Sequence, residues 1–66
     1  RLNARRSIVL TRSLPAGHVL EETDLTYKRP GTGISPLYWD DVVGCRILNN
    51  LEEDHVLKWE NLNLSS

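Results

Sequence analysis

Apolar residues in this 66-residue chain form short runs that are separated by polar and turn-forming residues. The run at 7–11 is rich in β-branched residues and predicts a buried strand. Residues 18–20, 26–29 and 45–48 predict further short extended segments, and residues 22–25 suit a single helical turn. The pattern predicts a mostly β domain with frequent turns and helices of one or two turns.

A longer helix is expected after residue 35. Ser35 is a favoured N-cap residue and Pro36 a favoured first residue, while Gly44 suits the position just beyond a helix end. These signals predict a two-turn helix between them. The preceding segment, 30–36, contains two glycines and two prolines. We expect it to be an irregular loop whose backbone adopts unusual dihedral angles.

The two halves of the chain resemble each other at a constant offset of 37 residues. Leu-Pro-Ala-Gly-His-Val-Leu at 14–20 matches Leu-Glu-Glu-Asp-His-Val-Leu at 51–57, and Leu25 matches Leu62. Each copy is too short to bury its own apolar side, so the two copies must pack together. The repeat predicts a pseudo-twofold fold; chance similarity is the alternative explanation. The acidic turn 52–54, which stands where the first copy has Pro-Ala-Gly, is interpreted as surface variation.

Length and composition limit the function classes. A chain of this size buries only about 60% of its unfolded surface, so a closed catalytic pocket of its own is not expected. Charged residues make up 26% and the net charge is −1, which argues against nucleic acid as the main partner. No apolar run approaches the roughly 20 residues of a membrane span, so no membrane partner is expected. We therefore expect a module that works on or inside something larger.

The lone cysteine and the two histidines offer little chemistry. Because Cys45 is the single cysteine, an internal disulfide and a cysteine-rich metal site are excluded, and a reducing compartment is favoured. His18 and His55 occupy matching repeat positions, which would suit a metal pair across a twofold axis. The two copies do not both supply a carboxylate or thiol at ligand spacing. We therefore interpret the histidines as parts of equivalent turns and expect no metal site.

Other reactive or aromatic residues indicate structure rather than catalysis. No nucleophile motif surrounds the serines or Cys45. The run Glu52-Glu53-Asp54 is interpreted as a solvated turn rather than an acidic site. Trp59 is expected in the core, whereas Tyr38 is left open between core and contact surface.

The segment 28–36, Lys-Arg-Pro-Gly-Thr-Gly-Ile-Ser-Pro, is the densest candidate for a site. Its glycines and prolines would present the Arg29 side chain on a shaped loop. The guanidinium group is a rigid fork of donors, and a fixed loop lowers the entropy lost on binding. On physical grounds alone, a solvated arginine at a strand end is an equally good explanation. A phosphate-binding glycine loop is disfavoured because the six-residue glycine pattern and a long following helix are absent.

Several of these segments together resemble a known family. The segments at 5–9, 14–17 and 25–36, together with Gly44, are similar to the C-terminal antifreeze-like (SAF) domain of bacterial sialic acid synthases. The resemblance runs from about residue 5 to residue 62, and Lys-Arg-Pro-Gly-Thr-Gly-Ile-Ser-Pro is its most specific part. On this basis residues 1–6 are expected to be a linker from an N-terminal barrel, 7–63 the SAF domain and 64–66 a tail.

The resemblance implies a β-clip fold, a pseudo-twofold arrangement of short strands that type III antifreeze proteins share. It implies a parent transferase of the bacterial cytoplasm whose barrel condenses phosphoenolpyruvate with N-acetylmannosamine or a related acetamido sugar. That enzyme would hold a divalent metal, Mn or Mg, in the barrel, with no cofactor bound by this fragment. Synthases of N-acetylneuraminate and of legionaminate-type sugars share the 28–36 loop.

The resemblance also implies how the domain works. Such synthases are domain-swapped homodimers, in which this domain covers the barrel of the partner protomer. Arg29, the arginine of the Arg-Pro-Gly motif, would contact the acetamido sugar there, while all catalytic residues would lie in the barrel. Further residues are expected to shape the loop (Pro30, Gly31 and Gly33) or to add contacts (Thr32, Ile34 and Tyr38).

Two other functions stand as alternatives. An ice-binding antifreeze protein needs a flat, weakly polar surface, which the 26% of charged residues and the Arg29 loop count against. A SAF-type chaperone or assembly module of an exported appendage would not need Arg29.

Overall fold

The computed structural model describes residues 6–29 and 31–63, so residues 1–5 of the expected linker, Pro30 and the expected tail 64–66 lie outside the described residues. The strands in these ranges are β1 (Ser7–Leu10), β2 (Leu25–Lys28), β3 (Arg46–Ile47) and β4 (Leu62–Asn63). One short α-helix, α1 (Trp39–Val42), and three 3-10 turns (Glu22–Asp24, Pro36–Tyr38 and Trp59–Asn61) complete the elements of the described part. A mostly β domain with short helical turns was predicted, and this prediction is confirmed.

The strands of the described part form two small antiparallel sheets. β1 pairs with β2 and ends with Leu10 opposite Leu25. β3 pairs with β4, with Ile47 opposite Leu62. Each residue of the second pair lies 37 positions after its counterpart in the first. The two sheets are therefore copies of one unit, and β3–β4 is the shorter copy.

The two halves meet at Leu14 and Leu51, which occupy the same position of the repeat. The amide of Leu14 donates to the carbonyl of Leu51 at 2.8 Å, and the reverse bond measures 2.9 Å. A residue that exchanges hydrogen bonds with its own repeat equivalent lies on a twofold axis. This pair therefore marks the centre of the pseudo-symmetry.

Hydrogen bonds on either side of this axis follow the same symmetry. The amide of Leu10 donates to the carbonyl of His55 at 3.1 Å, and the equivalent bond from Ile47 to His18 measures 3.0 Å. Backbone bonds of this kind require the two halves to interlock rather than to fold side by side. The predicted pseudo-twofold fold is thus confirmed in the backbone.

The turns that follow the two leucines need a left-handed residue at the same repeat position. Gly17 has a φ of 89° and Asp54 a φ of 69°. Glycine adopts this conformation without steric cost, and aspartate is among the few other residues that tolerate it. Asp54 also pairs with Lys28, with 3.0 Å between Oδ1 and Nζ. Residues 52–54 are all exposed, which agrees with their interpretation as a solvated surface turn.

The core contains aliphatic side chains from both halves of the chain. Trp39, Val43 and Cys45 are partly buried against it. Trp59 was expected in the core, and this prediction was wrong, because its side chain is 39% exposed. Its repeat equivalent is the exposed Glu22, so this position of the 3-10 turn faces solvent in both halves. The buried apolar residues that pack together in this core are Ile8, Leu10, Leu14, Leu20, Leu25, Ile34, Val42, Ile47, Leu51, Leu57 and Leu62, and Val9 is also buried.

The helical segment after residue 35 begins and ends as predicted, although its first turn is 3-10 rather than α. The Ser35 hydroxyl accepts a hydrogen bond from the amide of Leu37 at 3.2 Å, and Pro36 is the first helical residue. Gly44, with a φ of 95°, follows the last turn. None of the helices in the described ranges is long and apolar enough to cross a membrane.

Candidate functional site

Each histidine closes the 3-10 turn of its own half rather than joining the other. Nε2 of His18 lies 2.8 Å from Oδ2 of Asp24, and Nε2 of His55 lies 3.1 Å from Oδ1 of Asn61. In the part of the chain that the structure describes, no three His, Cys, Asp or Glu residues come together in a group that could hold a metal ion. Both rings therefore have structural partners.

Asp24 is a carboxylate with no exposed surface, and donors surround it. Arg12 donates to its Oδ1 from Nη2 at 2.8 Å, and the amide of Glu21 donates to its Oδ2 at 2.9 Å. Burial alone would raise the pKa of Asp24. Hydrogen bonds from His18, from the Glu21 amide and from Arg12 outweigh that effect, so the pKa lies below its ordinary value. Asp24 is therefore a structural anion and not a general base.

Cys45 is equally unsuited to catalysis. Its thiol donates to the carbonyl of Asp41 at 3.1 Å. Burial raises the pKa of the thiol, and the Asp41 carboxylate raises it further. A thiol of raised pKa is a poor nucleophile because the thiolate is the reactive form. This side chain packs against the core and does not define a site.

The 31–36 segment is tied to both halves of the domain by backbone hydrogen bonds. The amide of Ile8 in β1 donates to the carbonyl of Ile34 at 2.8 Å. The amide of Ile34 donates in turn to the carbonyl of Leu57, in the second repeat, at 2.9 Å. The buried hydroxyl of Ser7 accepts a bond from the amide of Gly33 at 2.8 Å. The segment is therefore held as an inserted strap between the repeats.

Gly33 is needed for space rather than for an unusual dihedral angle. Its φ lies outside the left-handed region, which corrects the prediction made for the 30–36 backbone at this position. A Cβ atom at residue 33 would collide with the carbonyl oxygen of Leu57 and would lie 2.6 Å from Cγ1 of Val56. The close approach that allows the Ile34–Leu57 bond is possible only without a side chain.

Ile34 belongs to the core and not to the contact surface. Its side chain is 2% exposed, although the sequence placed it among the candidate contacts. The Ile34 amide donates to Leu57 and the Ile34 carbonyl accepts from Ile8, so both backbone groups of this residue are held. The side chain points into the core, and its burial anchors the loop. The prediction of Ile34 as a contact residue was therefore wrong. Its side chain anchors the strap in the core.

Arg29 lies one residue beyond the end of β2 and is exposed. It makes no hydrogen bond or ion pair with any described residue. Its neighbour Lys28, by contrast, is paired with Asp54. No described residue therefore occupies the donors of the Arg29 guanidinium. Thr32 is also exposed, whereas Gly31 is half-buried.

An open depression of about 950 Å³ lies near the 27–31 segment. Tyr27 and Gly31, which precede and follow Arg29 by two residues, both line it. Tyr38 lines the same depression and is 47% exposed, which settles it as a surface residue. Arg6 also lines it, with its guanidinium carbon 5.8 Å from the centre of the Tyr27 ring. The remaining lining residues are Gly33, Ser35, Pro36 and Leu37.

Two edge-on aromatic pairs stiffen this surface. The ring centroids of Tyr27 and Trp39 are 6.0 Å apart at an interplanar angle of 82°. Those of Tyr38 and Trp59 are 5.6 Å apart at 74°. Such pairs add about 0.5–1.5 kcal/mol beyond the area they bury. These contacts hold aromatic edges in fixed positions beside the depression.

Sequence reasoning missed several residues that build this surface. The buried Ser7 hydroxyl accepts a hydrogen bond from the Gly33 amide. In the sequence, Ser7 is recognisable only as the first residue of a predicted strand. The pairing of Trp59 with Tyr38 joins residues 21 positions apart and has no local signal. The exposure of Leu37 could be suspected from its place directly after the Ser35-Pro36 helix start, where the first turn faces away from the core.

Residues 5–63 match the SAF domain family. An N,N'-diacetyllegionaminic acid synthase of Legionella pneumophila is 43% identical over 58 residues, which are 88% of this chain and 16% of that protein. The synthase of the same name from Campylobacter jejuni is 32% identical over 54 residues, 82% of this chain and 16% of that protein. An uncharacterised protein of Methanocaldococcus jannaschii is 38% identical over 61 residues, 92% of this chain and 18% of that protein. The chain thus spans less than a fifth of the length of these curated relatives.

The fold is also similar to a solved structure. The antifreeze protein like domain in human N-acetylneuraminic acid phosphate synthase superimposes with a TM-score of 0.89 at 27% identity, covering 94% of this chain and 80% of that chain. Both the sequence match and the structural match extend over nearly all of the 66 residues. With its interlocked repeats and its braced loop, this chain belongs to the SAF domain family.

Proposed function

We propose that this domain is the substrate-capping part of a sialic acid synthase-type enzyme and supplies Arg29 to an active site on a partner chain. The observation that supports the proposal is the exposed guanidinium of Arg29, one residue beyond β2, which has no partner among the described residues and lies next to a strap that both repeats hold in place. Two relatives are synthases of N,N'-diacetyllegionaminic acid, and the similar human domain is part of an N-acetylneuraminic acid phosphate synthase. These names support an acetamido sugar as the ligand.

The chemistry of Arg29 suits such a ligand. An acetamido group is uncharged and offers a carbonyl oxygen as acceptor, so the guanidinium acts through directed hydrogen bonds rather than through an ion pair. The bonds from Gly33 and Ile34 fix the nearby loop before any ligand binds. Such preorganisation lowers the entropy lost on binding. Exposed Thr32 and Tyr38 are the additional contacts that we propose, while Gly31, Gly33 and Pro30 shape the loop.

The reaction itself takes place elsewhere in the parent protein under this proposal. A barrel of the partner protomer, in a homodimer of the bacterial cytoplasm, condenses phosphoenolpyruvate with N-acetylmannosamine or a related acetamido sugar. The divalent metal, Mn or Mg, is held by that barrel. The described residues supply a lid, and a lid limits the access of water to a reactive intermediate.

The test is a kinetic comparison in the full-length parent protein. Arg29→Ala is expected to lower kcat/KM for the acetamido sugar by about 10- to 150-fold, the range for losing a hydrogen bond from a charged group. The KM for phosphoenolpyruvate is expected to stay within about twofold, since Arg29 is assigned to the sugar. Arg46→Ala is the matched control, because the Arg46 guanidinium already donates to the carbonyl of Gly17 at 2.8 Å.

A second substrate separates recognition of the acetamido group from a general effect on the lid. With a hexose that lacks the acetamido group, wild type and Arg29→Ala are expected to differ by less than about threefold, because the bond in question cannot form. Equal loss with both sugars would contradict a contact to the acetamido group. Unchanged kinetics with the natural sugar would overturn the role of Arg29 altogether.

A further inference from the structure

Ser7, the first residue of β1, is paired with both ends of the short loop that carries Arg29. In the antiparallel register of β1 and β2, Ser7 lies opposite Lys28, the residue that precedes Arg29. Its hydroxyl accepts a hydrogen bond from the amide of Gly33 at 2.8 Å. Residues 29–32 therefore form a loop of four residues whose two ends are attached to the same residue.

The second repeat has no hydroxyl at the equivalent position, because the counterpart of Ser7 is Gly44. There the amide of Gly44 donates directly to the carbonyl of Leu20 at 2.8 Å. At the symmetry-related contact the carbonyl equivalent to Leu20 is that of Leu57, and it accepts a bond from Ile34 at 2.9 Å. The strap is thus inserted at one of two equivalent contacts between the repeats, and the Ser7 hydroxyl accepts an amide that this insertion adds.

Burial makes the Ser7 bond a stable constraint on the loop. The Ser7 side chain has no exposed surface, so water does not compete for its oxygen. By contrast, both side chains of the Lys28–Asp54 ion pair are more than half exposed, and such pairs contribute little. The backbone of Arg29 is itself restricted, because a residue that precedes a proline is held in extended conformations. The Ser7 bond therefore supplies the buried fixed point at the far end of the loop.

We infer that Ser7 is a positioning residue: by holding Gly33, it keeps the loop in the conformation in which Arg29 meets the sugar. This inference rests on the proposed function, since it concerns the same contact. Without the hydroxyl, the fixed point at the far end of the loop moves from Gly33 to Ile34, and more backbone conformations become accessible. The conformation able to bind is then populated for a smaller fraction of the time, and the apparent dissociation constant rises by the inverse of that fraction.

Hydrogen–deuterium exchange of the full-length parent protein tests the attachment itself. In wild type the amides of Gly33 and Ile34 are both expected to be protected, because each donates a hydrogen bond. In Ser7→Ala, exchange at Gly33 is expected to be about 5- to 150-fold faster, the range for depriving a donor of its buried acceptor. Ser13→Ala is the matched control, because the Ser13 hydroxyl also accepts a backbone amide, that of Glu53 at 3.1 Å, outside the loop. Unprotected Gly33 in the wild-type protein would overturn the inference even if Ser7→Ala did not fold.

Steady-state kinetics of the same proteins test the effect on Arg29. Ser7→Ala is expected to raise the KM for the acetamido sugar at least about fivefold and to leave kcat within about threefold, because saturating sugar draws the loop back into the competent conformation. Ser13→Ala should leave both constants within about twofold of wild type. An unchanged KM for the sugar in Ser7→Ala would overturn the positioning role.

A double-mutant cycle separates positioning from a general structural effect. When residue 29 is already alanine, adding Ser7→Ala is expected to change the sugar kinetics by less than about twofold, because no guanidinium remains to be positioned. Equal losses from Ser7→Ala with and without Arg29 would contradict the inference.

The two proposals fail separately. If Arg29→Ala leaves the sugar kinetics unchanged, the contact between Arg29 and the sugar falls, and exchange at Gly33 still decides whether Ser7 holds the loop. If Arg29→Ala impairs sugar turnover but Ser7→Ala does not, the sugar contact stands and the positioning role of Ser7 falls.

Discussion

Replacing Gly33 by alanine tests how the candidate loop is held. The added Cβ would collide with the carbonyl oxygen of Leu57 and would approach Cγ1 of Val56 to 2.6 Å. A backbone carbonyl cannot rotate out of the way as a side chain can, so the strap itself must move. That movement strains two hydrogen bonds, from Gly33 to Ser7 at 2.8 Å and from Ile34 to Leu57 at 2.9 Å.

The expected cost follows from these contacts. Overpacking costs about 1–3 kcal/mol, and weakening two hydrogen bonds adds roughly 1 kcal/mol or more. We expect Gly33→Ala to lower the free energy of unfolding by about 2–4 kcal/mol, a large share of the roughly 3–10 kcal/mol available to a domain of this size. For such a small domain that corresponds to a fall in Tm of at least about 8 °C.

Urea unfolding of the 66-residue chain, followed by tryptophan fluorescence, measures this difference. Gly17→Asn is the matched control: no atom lies within 4 Å of a Cβ at that position, and its repeat equivalent Asp54 already has a positive φ. It is expected to cost less than about 1 kcal/mol. Adding Val56→Ala to Gly33→Ala should recover only part of the loss, because the carbonyl of Leu57 remains. A Gly33→Ala variant within about 0.5 kcal/mol of wild type would refute the steric argument.

Two further predictions concern the elements that surround the loop. Asp24→Asn is expected to lower the free energy of unfolding by about 1–2 kcal/mol at neutral pH, since it removes the charge-assisted bonds from Arg12 and His18. Because the folded pKa of Asp24 is lowered, this stabilisation is complete above the unfolded pKa of about 4 and is lost as the pH falls through the folded pKa. The difference in unfolding free energy between the two proteins should therefore narrow in urea titrations as the pH falls below about 4; a difference independent of pH would contradict the assignment. Ser35→Ala removes the cap on Leu37 and is expected to cost about 1 kcal/mol in the same assay, whereas Ser35→Asp should keep most of the stability.

Local sequence signals were sufficient for most of the elements. β1, β2, the 3-10 turn Glu22–Asp24 and the Ser35 helix start lie within one residue of the positions that residue type and spacing predicted. These features depend on neighbouring residues: a β-branched run extends, a serine caps and a proline starts a turn. The segments 18–20 and 45–48 were predicted at greater length than observed. The structure has only a bridge at Val19, which pairs with Arg46 of the two-residue strand β3.

The repeat is the one long-range feature that the sequence revealed. Matching residues 37 positions apart indicated that two halves pack together, and the reciprocal bonds between Leu14 and Leu51 confirm it. This inference was possible because two similar segments, each too short to fold alone, are expected to pack against each other about a twofold axis. The structure adds that Gly17 and Asp54, which occupy equivalent positions of the repeat, both have a positive φ.

By itself, the sequence determined the β-rich class, the twofold repeat and the segment that carries Arg29. Only the tertiary structure decided how that segment works: Gly33 is required by the approach of Leu57, Ile34 is buried, Trp59 is exposed, and Arg29 has no described partner. The physical reason is that these properties depend on which atoms from distant parts of the chain meet. Residue type fixes the chemistry that a side chain offers, whereas packing between the two repeats decides whether it is buried or presented.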